Sequence, residues 1–204
     1  MSDVLRIKVK FLLIFLLLAA LNLGAGDWDW QSRDTWQKPN KVLETVGVKP
    51  GMVIGEPGAG QGYFTLKLAR KVGPTGKIYA NDIIKKYLDS IKKKARKEGL
   101  TNIVTIKGKE TDPLFPGGQM DMVFMCLVLH DLTRPVAFLK NLKPCLKPNA
   151  PLVIIEQDPE KTGSTSGHFW QQAKILETVK AAGYKLDRIE TFLPRDNIYF
   201  YYAE

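Results

Sequence analysis

Short apolar runs recur along the chain, separated by segments whose apolar residues follow a helical spacing. Five of the runs are continuous rather than alternating, which is typical of strands covered on both faces, as in a parallel sheet. These runs are MVIGE (52–56), KIYAND (77–82), IVTIKG (103–108), DMVFMCLVL (121–129) and PLVIIEQ (151–157). We therefore predict five parallel strands.

The segments between these runs predict helices. They cover residues 62–73, 83–99, 135–148 and 171–183. In the second segment Ile84, Leu88 and Ile91 fall on one face, and Gly99 ends the pattern. This alternation of strand and helix predicts an α/β fold, a Rossmann-like doubly wound sheet with right-handed crossovers.

The end of the chain departs from this alternation. Residues 184–204 indicate two strands joined around residues 194–197, with no room for a helix between them. We therefore predict that the mostly parallel sheet ends in an antiparallel strand hairpin at its edge. The short loop of residues 109–119 likewise leaves only a stunted crossover between the third and fourth strands.

The first residues have the layout of a secretory signal. A basic head precedes the apolar run of residues 11–25, and small residues follow it before the acidic segment DWDW. We predict that residues 1–26 are a signal peptide or signal anchor and that residues 27–204 form a single domain. The protein is then exported, to the periplasm or attached to a membrane. If residues 1–26 instead result from a misassigned start codon, we expect the protein to be cytoplasmic.

The formal net charge of +9 weakly suggests acidic partners such as nucleic acid or anionic lipid. Much of this charge lies on the second predicted helix, at Lys85, Lys86, Lys92, Lys93, Lys94, Arg96 and Lys97. No aromatic residues alternate with these side chains for base stacking. We therefore interpret them as a solvated helix face and favour neither partner.

The chain has two cysteines and two histidines. Cys126 and Cys145 offer neither a disulfide framework nor a metal-ligand spacing. His130 and His168 lie far apart in the sequence. We therefore predict no metal site.

A glycine-rich turn follows the first predicted strand. Gly58, Gly60 and Gly62 have the spacing G-x-G-x-G. This differs from the dinucleotide fingerprint G-x-G-x-x-G because residue 63 is Tyr, and the lysine of a phosphate-binding loop is also missing. Glu56 ends the strand before the turn, where a carboxylate repels a pyrophosphate but attracts an ammonium or sulfonium group.

Asp82 ends the second predicted strand, 20 residues after Gly62. An acid at this position can accept hydrogen bonds from the hydroxyls of a ribose. The glycines and the two acids together indicate a nucleoside with a cationic amino-acid tail. S-adenosylmethionine matches this description.

These residues also carry a family resemblance. The run VGVKPGMVIGEPGAGQGYFTLKLARKVGPTGKIYANDI (46–83) resembles the cofactor half of class I S-adenosylmethionine-dependent methyltransferases. Similarity to a small bacterial subgroup extends over RDTWQKP (33–39), GKETDPLFPGGQMDMVF (108–124) and FLPRDNIYF (192–200). The resemblance implies that Asp82 binds the ribose. It implies that the methionyl end is held by Glu56, Gly58, Ala59, Gly60 and Gly62.

One position departs from the family pattern. Many relatives have an acid directly after the glycine that ends the third strand, where it accepts the adenine amino group. Here Gly108 is followed by Lys109, which cannot accept a hydrogen bond, and Glu110 comes next. We take Glu110 as the substitute.

Methyl transfer from a sulfonium requires alignment more than acid–base chemistry. The acceptor signature N/D-P-P-Y of amino-group methylating enzymes is missing, and LVLHDL stands in its place. His130 is the candidate general base, or else a loop histidine satisfied by backbone groups. Asp131 either orients His130 or caps the next helix. His168, with its neighbours Phe169 and Trp170, either lines the acceptor pocket or packs over the core.

The sequence therefore predicts a methyltransferase that moves a methyl group from S-adenosylmethionine to an unidentified acceptor, either a small molecule or a macromolecule. One alternative is a non-catalytic module of the same fold. A second is a nucleotide-dependent oxidoreductase, which Glu56 and the glycine spacing disfavour.

Overall fold

A computed structural model describes the chain from residue 25 to residue 204, and its side chains from residue 30. The predicted leader, residues 1–26, lies outside the described residues except for its last two positions. The chain divides into two compact units, Met1–Trp36 and Gln37–Glu204. Helix α1 (Ala25–Gln37) accounts for the described part of the first unit. Among residues 25–204, no helix combines the length and apolarity that crossing a membrane requires.

A seven-stranded sheet forms the centre of the second unit, with strand order β3-β2-β1-β4-β5-β7-β6. The first five strands of the chain pair in parallel, while β7 is antiparallel to both β5 and β6. The predicted fold class is therefore confirmed, including the terminal hairpin. The strands are β1 (Val53–Pro57), β2 (Lys77–Asp82), β3 (Ile103–Lys107), β4 (Met122–Cys126), β5 (Leu152–Gln157), β6 (Tyr184–Glu190) and β7 (Asp196–Ala203).

Helices cover both faces of this sheet. They are α2 (Pro39–Thr45), α3 (Tyr63–Val72), α4 (Lys85–Lys97), α5 (Pro135–Leu142), α6 (Pro159–Thr162) and α7 (Gln172–Ala181). On α4 the apolar face of Leu88, Ile91 and Ala95 is buried, opposite its exposed lysines. One apolar core packs the sheet against α5 and α7. Within residues 108–121 no helix forms, as the short loop predicted.

The fourth strand is shorter than its apolar run predicts. The run continues to residue 129, but β4 ends at Cys126, because Leu127 has a φ of +57° that extended backbone does not allow. A short 3₁₀ helix follows at Leu129–Asp131. Helix α5 starts at Pro135 without a side-chain cap. The alternative in which Asp131 caps that helix is therefore wrong.

The strand order fixes where a ligand can bind. β1 lies between β2 and β4, so the connections that leave β1 and β4 depart toward opposite sides of the sheet. In open α/β sheets this topological switch point leaves a crevice at the carboxyl ends of the strands. The glycine turn after β1 lies at this position.

Candidate functional site

The turn after β1 opens onto the crevice. Gly58 and Gly60 have φ of +66° and +54°, a left-handed conformation that residues with a Cβ rarely adopt. A methyl group on Gly58 would overlap Val128, whereas one on Gly60 would meet no atom within 4 Å. The Ala59 N–H donates to the Asn81 carbonyl oxygen at 2.8 Å. The turn is therefore held against β2 while Gly60 borders open space.

Asp82 joins the turn to the next helix. Its Oδ2 accepts a hydrogen bond from the Gly60 N–H at 2.9 Å, and its Oδ1 accepts one from the Ile84 N–H at 2.8 Å. The residue is buried, with 8% of its surface exposed. Gly62 lies further along the turn, directly before the first residue of α3. The structure thus brings Gly58, Gly60 and Asp82 to one edge of the sheet.

Glu56 lies beneath the turn rather than in the crevice. It is 4% exposed, and its Oε2 accepts a hydrogen bond from the Thr65 hydroxyl of α3 at 2.5 Å. Glu56 is not one of the described residues that line the crevice. The contact connects the end of β1 to the helix that follows it. Direct binding of a cationic group by Glu56 stays a prediction.

The crevice is a cavity of about 440 Å³, within the range of small-molecule sites. Gly58, Gly60 and Asp82 line one side of it. Lys109 and Glu110, both exposed, line it after β3. The predicted substitute for the adenine acceptor therefore lies at the same cavity as the predicted ribose ligand.

The opposite wall of the cavity follows β4 and is mostly apolar. Leu127, Val128, Leu132 and Phe138 supply it. The left-handed conformation of Leu127 is costly for a bulky side chain. The hydrogen bond from the Leu127 N–H to the Ile155 carbonyl oxygen, at 2.8 Å, helps to hold it. Backbone strain is thus stored beside the cavity.

His130 forms a close pair with a buried acid. Its Nδ1 lies 2.5 Å from Glu156 Oε2, and the two side chains are 3% and 1% exposed. Glu156 Oε1 accepts hydrogen bonds from the backbone N–H groups of Val128 and Leu129 at 3.1 and 2.7 Å. Burial alone would lower the pKa of His130, but the hydrogen bond and charge of Glu156, together with Asp131, outweigh it and raise this pKa.

The second histidine lies beside the first. The rings of His130 and His168 are 4.8 Å apart and nearly perpendicular, and the Phe169 ring lies 4.8 Å from the His130 ring. The two histidines, far apart in the sequence, are therefore neighbours in the structure. Asp131 Oδ1 lies 3.7 Å from His130 Nε2 and 3.9 Å from His168 Nε2. It is Asp131, rather than either histidine, that lines the cavity.

The basic face of α4 is largely solvated. Lys85 pairs with Asp89 at 2.6 Å, and Lys92 lies 4.0 Å from the same carboxylate. Exposed pairs of this kind contribute little to stability. This geometry tests neither nucleic acid nor lipid binding, so the interpretation that favours neither partner stays a prediction.

Glu156 was not predicted from the sequence as a site residue. It is the acid near the end of the fifth apolar run, at a strand end equivalent to those of Glu56 and Asp82. The criterion that identified Glu56 and Asp82, an acid at the end of a predicted strand, also applies to Glu156. The parallel pairing of β4 with β5 brings it under the backbone of residues 128–130.

Comparison with known proteins agrees with this geometry. Residues 48–187 match the family model described as a methyltransferase domain. A solved structure of an S-adenosylmethionine-dependent methyltransferase from Aquifex aeolicus is 29% identical, with a TM-score of 0.77 over 83% of this chain and 92% of that chain.

Curated relatives match a shorter stretch. The ubiquinone/menaquinone biosynthesis C-methyltransferase UbiE of Shewanella pealeana is 29% identical over 116 residues, which are 56% of this chain and 46% of the relative. UbiE of Laribacter hongkongensis is 31% identical over 115 residues, 56% of this chain and 47% of the relative. The chain thus spans about half the length of the curated relatives it matches.

Proposed function

The chain belongs to the methyltransferase-domain family, among the class I S-adenosylmethionine-dependent methyltransferases, and we propose that it methylates a small apolar acceptor. S-adenosylmethionine supplies a methyl group on a sulfonium, which is already a good leaving group. The protein then has to bind the cofactor, align the acceptor with the methyl group and exclude water.

The single observation that carries the cofactor proposal is the hydrogen bond between Gly60 and Asp82 at the mouth of the cavity. It places a carboxylate for the ribose hydroxyls next to backbone that a ligand can approach closely. Gly58, Ala59 and Gly62 shape the same turn. Glu110 is the candidate acceptor for the adenine amino group, and Glu56 supports the turn from below through Thr65.

The acceptor proposal rests on the apolar wall. Leu132 and Phe138 line the cavity after β4, and Ile83 and Ile84 line it next to Asp82 while remaining 53% and 44% exposed. Exposed apolar side chains at a cavity mouth favour an apolar ligand. The curated relatives are named for ubiquinone and menaquinone biosynthesis, and we propose an aromatic acceptor of the same general kind.

Transfer of a labelled methyl group tests the proposal. The full chain is incubated with methyl-labelled S-adenosylmethionine and either the solvent-extracted or the aqueous fraction of a bacterial lysate. We expect label in the solvent-extracted fraction. Cofactor binding without transfer to either fraction would favour the non-catalytic module, and transfer confined to the aqueous fraction would contradict an apolar acceptor.

A further inference from the structure

Three side chains next to the cavity converge on one point. Donor atoms of His130, Asp131 and His168 all lie within 4.8 Å of one another. The Asp131 Oδ1 lies 3.7 Å from His130 Nε2 and 3.9 Å from His168 Nε2. Two imidazoles and a carboxylate are the donor set of many zinc sites and of related first-row metal sites.

Glu156 sets the direction in which His130 can bind. A carboxylate can only accept hydrogen bonds, so the 2.5 Å contact with Nδ1 places the imidazole proton on Nδ1. The lone pair of the neutral ring is then on Nε2, which is the atom that faces Asp131. A carboxylate behind a metal-binding histidine is a recurrent arrangement, which fixes the ring and its tautomer.

The cluster combines one fixed donor with two adjustable ones. The His130 side chain is 3% exposed, whereas those of Asp131 and His168 are 61% and 56% exposed. Donors of a tetrahedral zinc ion at about 2.0–2.1 Å lie roughly 3.3 Å apart. The donors, now up to 4.8 Å apart, therefore have to close by at most about 1.5 Å, and the exposed side chains of Asp131 and His168 are able to do so.

A metal-free general base explains this arrangement less well. A base has to reach the acceptor directly or through one water, and Asp131 rather than His130 lines the cavity. An ion held between them would extend the reach of His130 to the cavity wall. Three protein donors also leave a fourth position open for a ligand.

We propose that His130, Asp131 and His168 bind a zinc-like divalent ion whose open position takes an oxygen atom of the methyl acceptor. This rests on the proposed function, because the acceptor has to enter the same cavity. It narrows the acceptor to a compound that carries a hydroxyl or a similar oxygen donor near the methylated position. Glu156 acts as a positioning residue for His130.

The test uses the full chain without a histidine tag, stripped with a chelator and titrated with Zn²⁺ or Co²⁺. Both histidines of the chain belong to the cluster, so their ring signals in NMR report this site alone. We expect one ion per chain, micromolar or tighter affinity, shifts of both rings, and the visible absorption of a four-coordinate Co²⁺ site. His168→Gln should weaken binding at least tenfold, and Glu156→Gln by about 10- to 100-fold.

Matched controls separate this site from surface binding. Asp131→Asn should weaken Co²⁺ binding, whereas Asp187→Asn, at an exposed carboxylate on β6, should leave it unchanged. Binding that leaves the ring signals in place, or that His168→Gln does not affect, would overturn the proposal. So would the absence of binding at micromolar Co²⁺. S-adenosylmethionine binding is measured on the same samples, so a failed metal site with intact cofactor binding leaves the proposed function standing.

Discussion

The Gly60 N–H donates to Asp82 Oδ2 at 2.9 Å, which connects the turn after β1 to the end of β2. The other carboxylate oxygen accepts the Ile84 N–H at 2.8 Å. Each oxygen has a further lone pair that can accept a hydrogen bond from a ligand. Asp82 therefore shapes the turn and also presents an acceptor to the cavity.

Asp82→Asn should weaken S-adenosylmethionine binding about tenfold to a hundredfold, because hydrogen bonds to a charged acceptor contribute roughly 1.5–3 kcal/mol. The amide also has to turn one N–H toward a backbone donor. The measurement is calorimetric titration. Asp89→Asn, at an exposed acid on α4, is the matched control and should bind as the original chain does. Equal affinity of the two variants for S-adenosylmethionine would contradict a role for Asp82 in binding it.

Alanine substitution should mainly lower stability at Gly58 and mainly weaken ligand binding at Gly60. Gly58→Ala places a methyl group onto Val128 and should lower the melting temperature by several degrees. Gly60→Ala meets no atom within 4 Å, so it should cost only about 1 kcal/mol of backbone strain while its methyl group obstructs the ligand. Thermal melts with and without S-adenosylmethionine measure both effects.

The double variant Gly58→Ala/Val128→Ala provides the control. Removing the two methyl groups of Val128 should restore part of the lost stability. If the double variant is no more stable than Gly58→Ala, the overlap with Val128 is not the cause of the lost stability.

Glu156→Ala should lower the free energy of unfolding by roughly 3 kcal/mol, because two backbone N–H groups and the His130 ring lose their acceptor in a buried site. Glu156→Gln keeps one oxygen for the backbone groups and should cost less. Urea denaturation measures both. Glu177→Ala, at an exposed position of α7, should change stability by no more than about 0.5 kcal/mol. A loss for Glu156→Ala as small as that of the control would contradict this account.

Burial raises the pKa of the Cys145 thiol to about 11. Since the thiolate is the reactive form, only about one thiol in a thousand is ionised at pH 8. In a Cys126→Ser chain, modification by Ellman's reagent should be slow when folded and fast after unfolding. The stabilising contribution of the neutral thiol is complete below its unfolded pKa and is lost as pH rises through about 11. Rapid reaction of the folded variant at pH 8 would contradict the burial.

Much of the fold follows from local pattern. The runs at 77–82 and 103–108 became strands within one residue of their predicted bounds, although β3 lies at the edge of the sheet and is only partly buried. The terminal hairpin followed from two strand-like runs with too few residues between them for a helix. The early end of β4 was not predictable, since the left-handed turn at Leu127 depends on a hydrogen bond to β5 rather than on local sequence.

The cofactor side of the site was more predictable than the acceptor side. Asp82 and the glycines are close in sequence, and strand ends place them together. His130 follows β4, Glu156 lies near the end of β5 and His168 lies in the loop after α6. Only the pairing of β4 with β5 and the course of that loop bring them together. The position of Glu56 also depends on packing, because its carboxylate accepts a hydrogen bond from Thr65 on the following helix.

The central claim is that the cavity lined by Gly60 and Asp82 binds S-adenosylmethionine. Calorimetric titration of the full chain with S-adenosylmethionine and, separately, with NAD tests this directly. We expect one S-adenosylmethionine bound per chain and no heat of binding for NAD. Binding of NAD at equal or higher affinity, or no binding of S-adenosylmethionine, would contradict it.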